Sequence, residues 1–170
     1  MTFPLLVVIH ETLISAEESI ILHGDSQYYA SYHSLIHRSG KITYLTPGDC
    51  KAYAAAQSTF TDPFGEIQQV NGSVDDFAYH IALETPPDGI ANPKQEYHIG
   101  YTKEQYQSLA WLCASVGAHT GRITTHGDIS FTKTLEPRCF NIDYFSDIYE
   151  TIKKTTNKTI DLGILNYVRT

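Results

Sequence analysis

Cysteine and positive charge are both scarce in this chain. The 170 residues include only three cysteines, Cys50, Cys113 and Cys139. Three cysteines cannot all pair within one chain, and none belongs to a Cys-x-x-Cys motif, which argues against a disulfide framework. The 12 Lys and Arg residues stand against 19 Asp and Glu residues, and the net charge is −7. A protein that neutralises nucleic-acid phosphates needs the opposite balance, so we expect no nucleic-acid partner.

Long apolar runs, internal repeats and low-complexity segments are also lacking. The apolar run at residues 3–9 is too short to cross a bilayer and carries neither a basic leader nor a cleavage site. We therefore expect no membrane insertion, and a protein made in the cytoplasm without a recognisable signal peptide. A chain of this length buries enough surface to fold as one domain. We expect a single domain over residues 1–170, with its core at about 5–146, and a monomer.

Hydrophobic patterns of both helical and strand period occur along the chain, which is typical of an α/β fold. Leu5 to Ile9 form a β-branched apolar run, as a strand covered on both faces would. Capping signatures begin two helices, at about 16–23 and 102–116. The remaining predictions are strands at 32–37, 41–45, 78–83 and 122–125, a turn at 38–40, a helix at 142–152, and long loops at 57–76 and 85–100.

Two of the eight histidines follow directly after predicted strands. His10 comes after the first strand and His126 after the last. The carboxyl edge of an α/β sheet is where such folds gather their functional side chains. A catalytic zinc takes two or three imidazoles with a carboxylate or thiolate. Spacing alone leaves open the plainer interpretation that these are hydrogen-bonded or surface histidines.

Five short motifs follow one another along the chain: Val8 to Thr12, Ser31 to Gly40, Ile81 to Glu84, Tyr101 to Tyr106, and Ile123 to His126. Their order resembles that of the zinc-dependent N-acetylmuramoyl-L-alanine amidases of type 2, relatives of the peptidoglycan recognition proteins. The resemblance covers about residues 5–146. It implies a central mixed β-sheet flanked by helices, with a zinc groove on one face.

The resemblance also implies a set of zinc ligands. The first two family histidines fall on His10 and His126. The third family ligand is an Asp or Cys directly before a proline, and that position holds Glu136 here. Glutamate binds zinc through oxygen but is one methylene longer than aspartate. Cys139, three residues further on, is a softer ligand that stays open as an alternative.

Three further residues take catalytic roles by the same resemblance. Glu84 matches the general base at the end of a central strand, and Tyr32 matches an assisting tyrosine. Lys133 is the nearest candidate for the residue that stabilises the oxyanion, although it lies one position away from the usual register.

The expected function is zinc-dependent hydrolysis of the amide between N-acetylmuramic acid and L-alanine, in peptidoglycan or in muropeptides. Zinc is the expected cofactor, because it makes hydroxide available at neutral pH and polarises a carbonyl. The alternative is a module of the same fold that binds peptidoglycan without cutting it, since a fold does not establish an activity.

Overall fold

A computed structural model of the protein describes residues 6–24, 30–65, 70–132 and 134–167. The strands are β1 (Leu6–Glu11), β2 (Ser34–Ile36), β3 (Ile42–Tyr44), β4 (Ser58–Phe60), β5 (Val70–Gly72), β6 (Ala78–Leu83) and β7 (Ile123–Thr125). The helices are α1 (Ala16–Gly24), α2 (Pro87–Ala91), α3 (Lys103–Ser115), α4 (His126–Ile129) and α5 (Ile142–Tyr167).

The centre of the fold is a five-stranded sheet in the order β3-β2-β6-β1-β7, in which β2, β6, β1 and β7 are parallel and β3 is antiparallel. The fold is therefore α/β with a mixed sheet, as predicted.

Alternation along the two central strands divides the core into two layers. All six residues of β1 and all six of β6 are buried, because both faces of the sheet are covered. Val7 and Ile9 face the layer that contains buried side chains of α3 and α5. Leu6 and Val8 face a second layer that includes Phe60 of β4. Since alternate residues share a face, His10 follows Leu6 and Val8 onto the second face.

The predicted helix starts are confirmed by their hydrogen bonds. At the start of α3 the Thr102 side chain accepts a hydrogen bond from the Gln105 backbone N–H, and the Gln105 side chain accepts one from the Thr102 backbone N–H. At α1 the same reciprocal pattern joins Ser15 and Glu18. Each pair satisfies two N–H groups that have no partner within the helix. Helix α5 begins at Ile142 as predicted and continues well beyond residue 152.

Both predicted long loops contain secondary structure, so that part of the prediction was wrong. Residues 57–76 include β4, β5 and a 3-10 turn at Val74–Asp76, and residues 85–100 include α2. These elements have three to five residues each. A strand of three residues shows no measurable alternation, and tertiary contacts rather than pattern decide whether it forms. Strands β4 and β5 pair with each other in a separate two-stranded sheet.

The turn between β2 and β3 depends on a glycine. Gly40 has φ +83°, a conformation that side chains rarely adopt, and its N–H donates to the His37 carbonyl at 2.8 Å. A Cβ atom at this position would lie 3.0 Å from the Glu104 backbone carbonyl oxygen. The predicted turn is thus confirmed, and α3 packs closely against it. Among the described residues, no helix combines the length and the apolar character that crossing a membrane requires.

A buried ion pair ties the end of β1 to the segment that follows Glu136. The Arg138 guanidinium donates from Nε and Nη2 to the Glu11 carboxylate, at 2.6 Å for Nη2 to Oε1. The Arg138 backbone N–H donates to the same carboxylate at 3.0 Å. Both side chains are at most 5% exposed. Because Glu11 follows His10 and Arg138 lies two residues after Glu136, this pair sets the distance between the two segments.

Replacing Arg138 should destabilise the protein strongly. In Arg138→Leu the buried Glu11 carboxylate would keep the Arg138 backbone N–H and the Thr85 hydroxyl but lose the guanidinium. Losing one member of a buried pair costs about 3–5 kcal/mol. Urea unfolding at pH 7 and 25 °C measures the loss. The matched control is Lys51→Ala, which removes the exposed pair between Lys51 and Asp76 and should cost much less. Equal losses in the two variants would contradict a structural role for the buried pair.

His33, just before β2, is held in one neutral form. Its Nδ1 accepts the backbone N–H of His80 at 2.9 Å, and its Nε2 donates to the Cys50 carbonyl at 3.0 Å. Burial lowers the pKa of His33 to about 4, against a smaller opposing effect of the Cys50 carbonyl. A proton on Nδ1 would break the bond to His80, so folding disfavours the charged form.

The free energy of unfolding should therefore fall as the pH falls from 6.5 towards 4. Over that range the unfolded chain binds a proton at His33 that the folded chain does not, so stability rises with pH and is lost on acidification. In His33→Asn the amide oxygen can still accept the His80 N–H, and the slope of stability against pH should become shallower. Urea unfolding at several pH values checks this. A slope that His33→Asn leaves as steep as that of the control, exposed His119→Asn, would contradict the assignment.

Candidate metal centre

Three of the predicted site residues converge at one edge of the sheet. His10 lies in β1, His126 directly follows β7, and Glu136 lies in the segment beyond α4. One ligand atom from each of the three lies within 4.8 Å of the other two. The Nδ1 atom of His126 is 3.0 Å from Oε2 of Glu136, and the His10 and His126 ring centroids are 4.8 Å apart.

The register of the parallel strands explains the approach of the two histidines. Val8 pairs with Thr124, and continuing that register by two residues brings His126 level with His10. Residues two apart on a strand share a face, so both rings project from the face that carries Val8. The site therefore follows from strand pairing between segments more than a hundred residues apart.

Gly127 lets the Glu136 segment approach the start of α4. Its N–H donates to the Glu136 carbonyl at 2.7 Å. A Cβ atom on Gly127 would lie only 2.7 Å from the Thr134 carbonyl oxygen, a backbone atom that cannot move aside easily. A glycine beside His126 is thus what permits the Glu136 side chain to reach the His126 ring.

The donor set fits a divalent cation such as zinc. Two imidazoles and one carboxylate, with a further position open, are a known set of catalytic zinc ligands. Burial lowers the pKa of His10 well below its ordinary value, and the neighbouring His80 and His126 rings lower it further. His10 is therefore neutral at pH 7 and has a lone pair to offer. The Nε2 atom of His126 is buried without a hydrogen-bond partner in the described part of the chain.

His10 has two buried polar neighbours that the sequence analysis did not identify. Its Nε2 atom lies 2.9 Å from Nδ1 of His80, and Nε2 of His80 lies 3.1 Å from Oδ1 of Asp75. Burial raises the pKa of Asp75, but contacts from His80 and from backbone N–H groups outweigh it and lower the value to about 2. His80 shares the strand face of Ala82, the residue that pairs with His10, so the strand register brings the two imidazoles together.

Tyr32 lies against His10, as its predicted role requires. The two ring centroids are 5.3 Å apart, and His23 of α1 packs on the same tyrosine ring at 4.7 Å. Burial raises the pKa of the Tyr32 phenol, and the Glu136 and Glu11 carboxylates raise it further. The phenol consequently keeps its proton and can act as a hydrogen-bond donor beside His10.

Glu84 is at the end of β6 as predicted but is not one of the three converging residues. Its carboxylate accepts backbone N–H groups from Arg38 at 2.8 Å and from Ala16 at 3.3 Å. Strand alternation, continued by one residue, puts Glu84 on the same face as His80. Its role as general base stays a prediction. Lys133, predicted to stabilise the oxyanion, lies outside the described residues.

Cys139, the alternative third ligand, points elsewhere. Its thiol is exposed, and Sγ accepts the backbone N–H of His98 at 3.2 Å. It does not belong to the cluster of converging atoms, which contains Glu136 instead. Beside Glu136 there is a cavity of about 190 Å³, which Lys94, Glu96 and Leu135 also line. A polar substrate therefore has space next to the cluster.

Solved structures of several amidases resemble this fold. An AmpD derivative shares 24% identity over 86% of this chain and 85% of its own, with a TM-score of 0.62. The N-acetylmuramyl-L-alanine amidase AmiD from E. coli shares 20% identity over 86% of this chain and 58% of its own, with a TM-score of 0.69. The endolysin amidase LysCS from Clostridium intestinale shares 18% identity over 85% and 82%, with a TM-score of 0.56. At these identities the likeness concerns the fold.

Sequence comparison assigns the family. No curated protein sequence matches this chain. The profile of the Amidase_2 family, described as N-acetylmuramoyl-L-alanine amidase, matches residues 2–139. That span includes every residue of the candidate metal centre, and the chain belongs to the Amidase_2 family of N-acetylmuramoyl-L-alanine amidases.

Proposed function

We propose that this peptidoglycan amidase is a zinc enzyme that hydrolyses the amide between N-acetylmuramic acid and L-alanine. The observation that carries the proposal is the convergence of His10, His126 and Glu136 within 4.8 Å. The AmiD relative is described in complex with its substrate, anhydro-N-acetylmuramic acid-L-Ala-D-gamma-Glu-L-Lys. That molecule contains the amide concerned, which supports a muropeptide or peptidoglycan strand as the substrate here.

His10, His126 and Glu136 are the residues that would hold zinc. A bound zinc ion supplies a Lewis acid for the amide carbonyl and lowers the pKa of water. The three side chains come from segments that the β1–β7 register and the Glu11–Arg138 pair hold in place, so the protein presents them with little rearrangement. Such preorganisation reduces the cost of binding.

Three further side chains have proposed parts in the reaction, and one of them, Glu84, transfers protons. Glu84 accepts a proton from the attacking water and returns it to the departing amine, since one carboxyl group can serve as base and then as acid. The Tyr32 phenol donates a hydrogen bond to the oxygen on which negative charge develops. The Lys133 ammonium is proposed to stabilise the same oxygen through its charge.

The wild-type protein should bind one zinc per chain, and Glu136→Ala should lose it. Loss of a residue that only hydrogen-bonds to a metal ligand weakens metal affinity by about 10- to 100-fold. Removing one of the three ligands themselves should weaken the zinc affinity by more than that. Elemental analysis and competition with a chelating dye measure stoichiometry and affinity. Cys139→Ala is the control and should keep its zinc. Loss of zinc in Cys139→Ala alone would move the third ligand to the thiol.

Glu84→Gln should lose hydrolysis while it keeps zinc. The amide oxygen of glutamine can still accept the Arg38 N–H, but the side chain can no longer take a proton. General acid–base catalysis typically contributes about 10²- to 10⁴-fold to the rate, so a loss in that range is expected. Release of stem peptide from a purified muropeptide, followed by chromatography, gives the rate. The control Glu17→Gln, at an exposed position in α1, should match the wild type.

The results also address the alternative of a non-catalytic peptidoglycan-binding module. Zinc-loaded wild type that releases no stem peptide, or wild type that takes up no zinc on reconstitution, would favour that module. Equal rates for Glu84→Gln and the wild type at equal zinc content would instead remove Glu84 from the mechanism.

A further inference from the structure

We propose that Asp75 and His80 are positioning residues that hold the His10 imidazole in one tautomer, with Nδ1 free to bind the metal. The inference rests on the proposed function, since it concerns how one proposed zinc ligand is prepared. Neither Asp75 nor His80 belongs to the three converging residues. Each acts, in this proposal, only through His10.

The three side chains form a buried line across the sheet. Nε2 of His10 lies 2.9 Å from Nδ1 of His80, and Nε2 of His80 lies 3.1 Å from Oδ1 of Asp75. His10 is 1% exposed, His80 0% and Asp75 6%. The line starts in β1, crosses to β6 and ends at the 3-10 turn that precedes β6. Water is thus excluded along the line, and each group depends on its neighbour.

The positions of the protons follow from the Asp75 end of the line. The same Asp75 oxygen accepts the backbone N–H groups of Ala55 at 2.9 Å and Ala54 at 3.3 Å. An ionised carboxylate only accepts, so the His80 nitrogen that faces it carries the hydrogen. When His80 is neutral, its other nitrogen has a lone pair that is directed at His10. His10 must therefore carry its hydrogen on Nε2, and its Nδ1 lone pair is free.

The backbone around His80 holds the line in place. The His80 N–H donates to Nδ1 of His33, and the His80 carbonyl accepts the His33 N–H at 3.0 Å. The Asp75 carboxylate, 3.1 Å from His80 Nε2, is the group that compensates the burial of this nitrogen. Asp75 in turn is held by the N–H groups of the segment before β4. The ring of His80 is consequently fixed against that of His10.

The consequence concerns metal binding. An imidazole with two free nitrogens offers either one to a metal and samples two ring orientations. A ring whose outer N–H is engaged presents a single lone pair in a single direction, and an accepting partner also makes that lone pair more basic. His80 and Asp75 should thus raise the zinc affinity without contacting zinc.

The experiment compares three variants by zinc affinity. His80→Leu removes the acceptor for the His10 N–H. The zinc affinity should become about 10- to 100-fold weaker, because this is the typical effect of losing a residue that hydrogen-bonds to a metal ligand. His80→Asn places an amide oxygen close to the position of Nδ1 and should restore affinity to within about threefold of the wild type. His37→Asn is the matched control, since this half-buried histidine binds the Thr43 hydroxyl and has no part in the line; it should leave the zinc affinity unchanged.

A second measurement reads the tautomer in zinc-free protein. Long-range ¹H–¹⁵N spectra distinguish the two nitrogens of His10, and the wild type should show the hydrogen on Nε2. In His80→Leu and in Asp75→Ala, which removes the acceptor that faces His80, the signal should shift towards a mixture of tautomers. Near-UV circular dichroism checks that each variant is folded, and Asp75→Ala carries the test if His80→Leu does not fold.

The two proposals fail in different ways. A wild type that binds no zinc contradicts the proposed function, yet the tautomer of its His10 still tests the positioning pair. If the wild type binds zinc, and His80→Leu binds it equally tightly with the same His10 tautomer, the proposal for the positioning pair is overturned and the proposed function is not. Equal weakening in His80→Leu, His80→Asn and His37→Asn would also overturn it, because a general structural effect would then explain the loss.

Discussion

Strand β1 pairs in parallel with β6 on one side and with β7 on the other, and the candidate site takes its positions from that pairing. Parallel strands end at the same edge of a sheet, so residues that follow them meet there. His10, His126 and Glu84 come from three such ends. Because register also decides which face each side chain takes, a shift of one residue would send His10 into the opposite layer of the core.

Several polar groups at this edge are buried together with a partner. Glu11 forms an ion pair with Arg138, and the Asp75 carboxylate lies beside the His80 ring. His33 accepts a hydrogen bond from one backbone N–H and donates one to a backbone carbonyl. A buried charge without a partner is costly, whereas a paired one can hold two segments in a defined relation. The Glu11–Arg138 pair does this for the two segments that carry His10 and Glu136. The same interactions that stabilise the fold therefore shape the cluster.

The cluster places the neutral His10 imidazole near a carboxylate, and burial is the reason that His10 is neutral. Desolvation disfavours a charged imidazole, so His10 keeps the lone pair that a metal needs. Burial raises the pKa of the Tyr32 phenol, so the phenol keeps its proton. One low-dielectric environment thus prepares a ligand and a hydrogen-bond donor within 5.3 Å of each other, measured between ring centroids. A water-filled surface cleft would do neither.

Local pattern determined the main helices, the two central strands and the places of His10 and His126, because capping boxes and β-branched runs act over a few residues. The family resemblance added Glu136, Glu84 and Tyr32 by motif. Only the tertiary structure decided that Glu136 and not Cys139 reaches the His126 ring, and that His80 and Asp75 line up behind His10. These relations join residues far apart in the chain, and they depend on strand register and on a close backbone approach at Gly127, which no local pattern encodes.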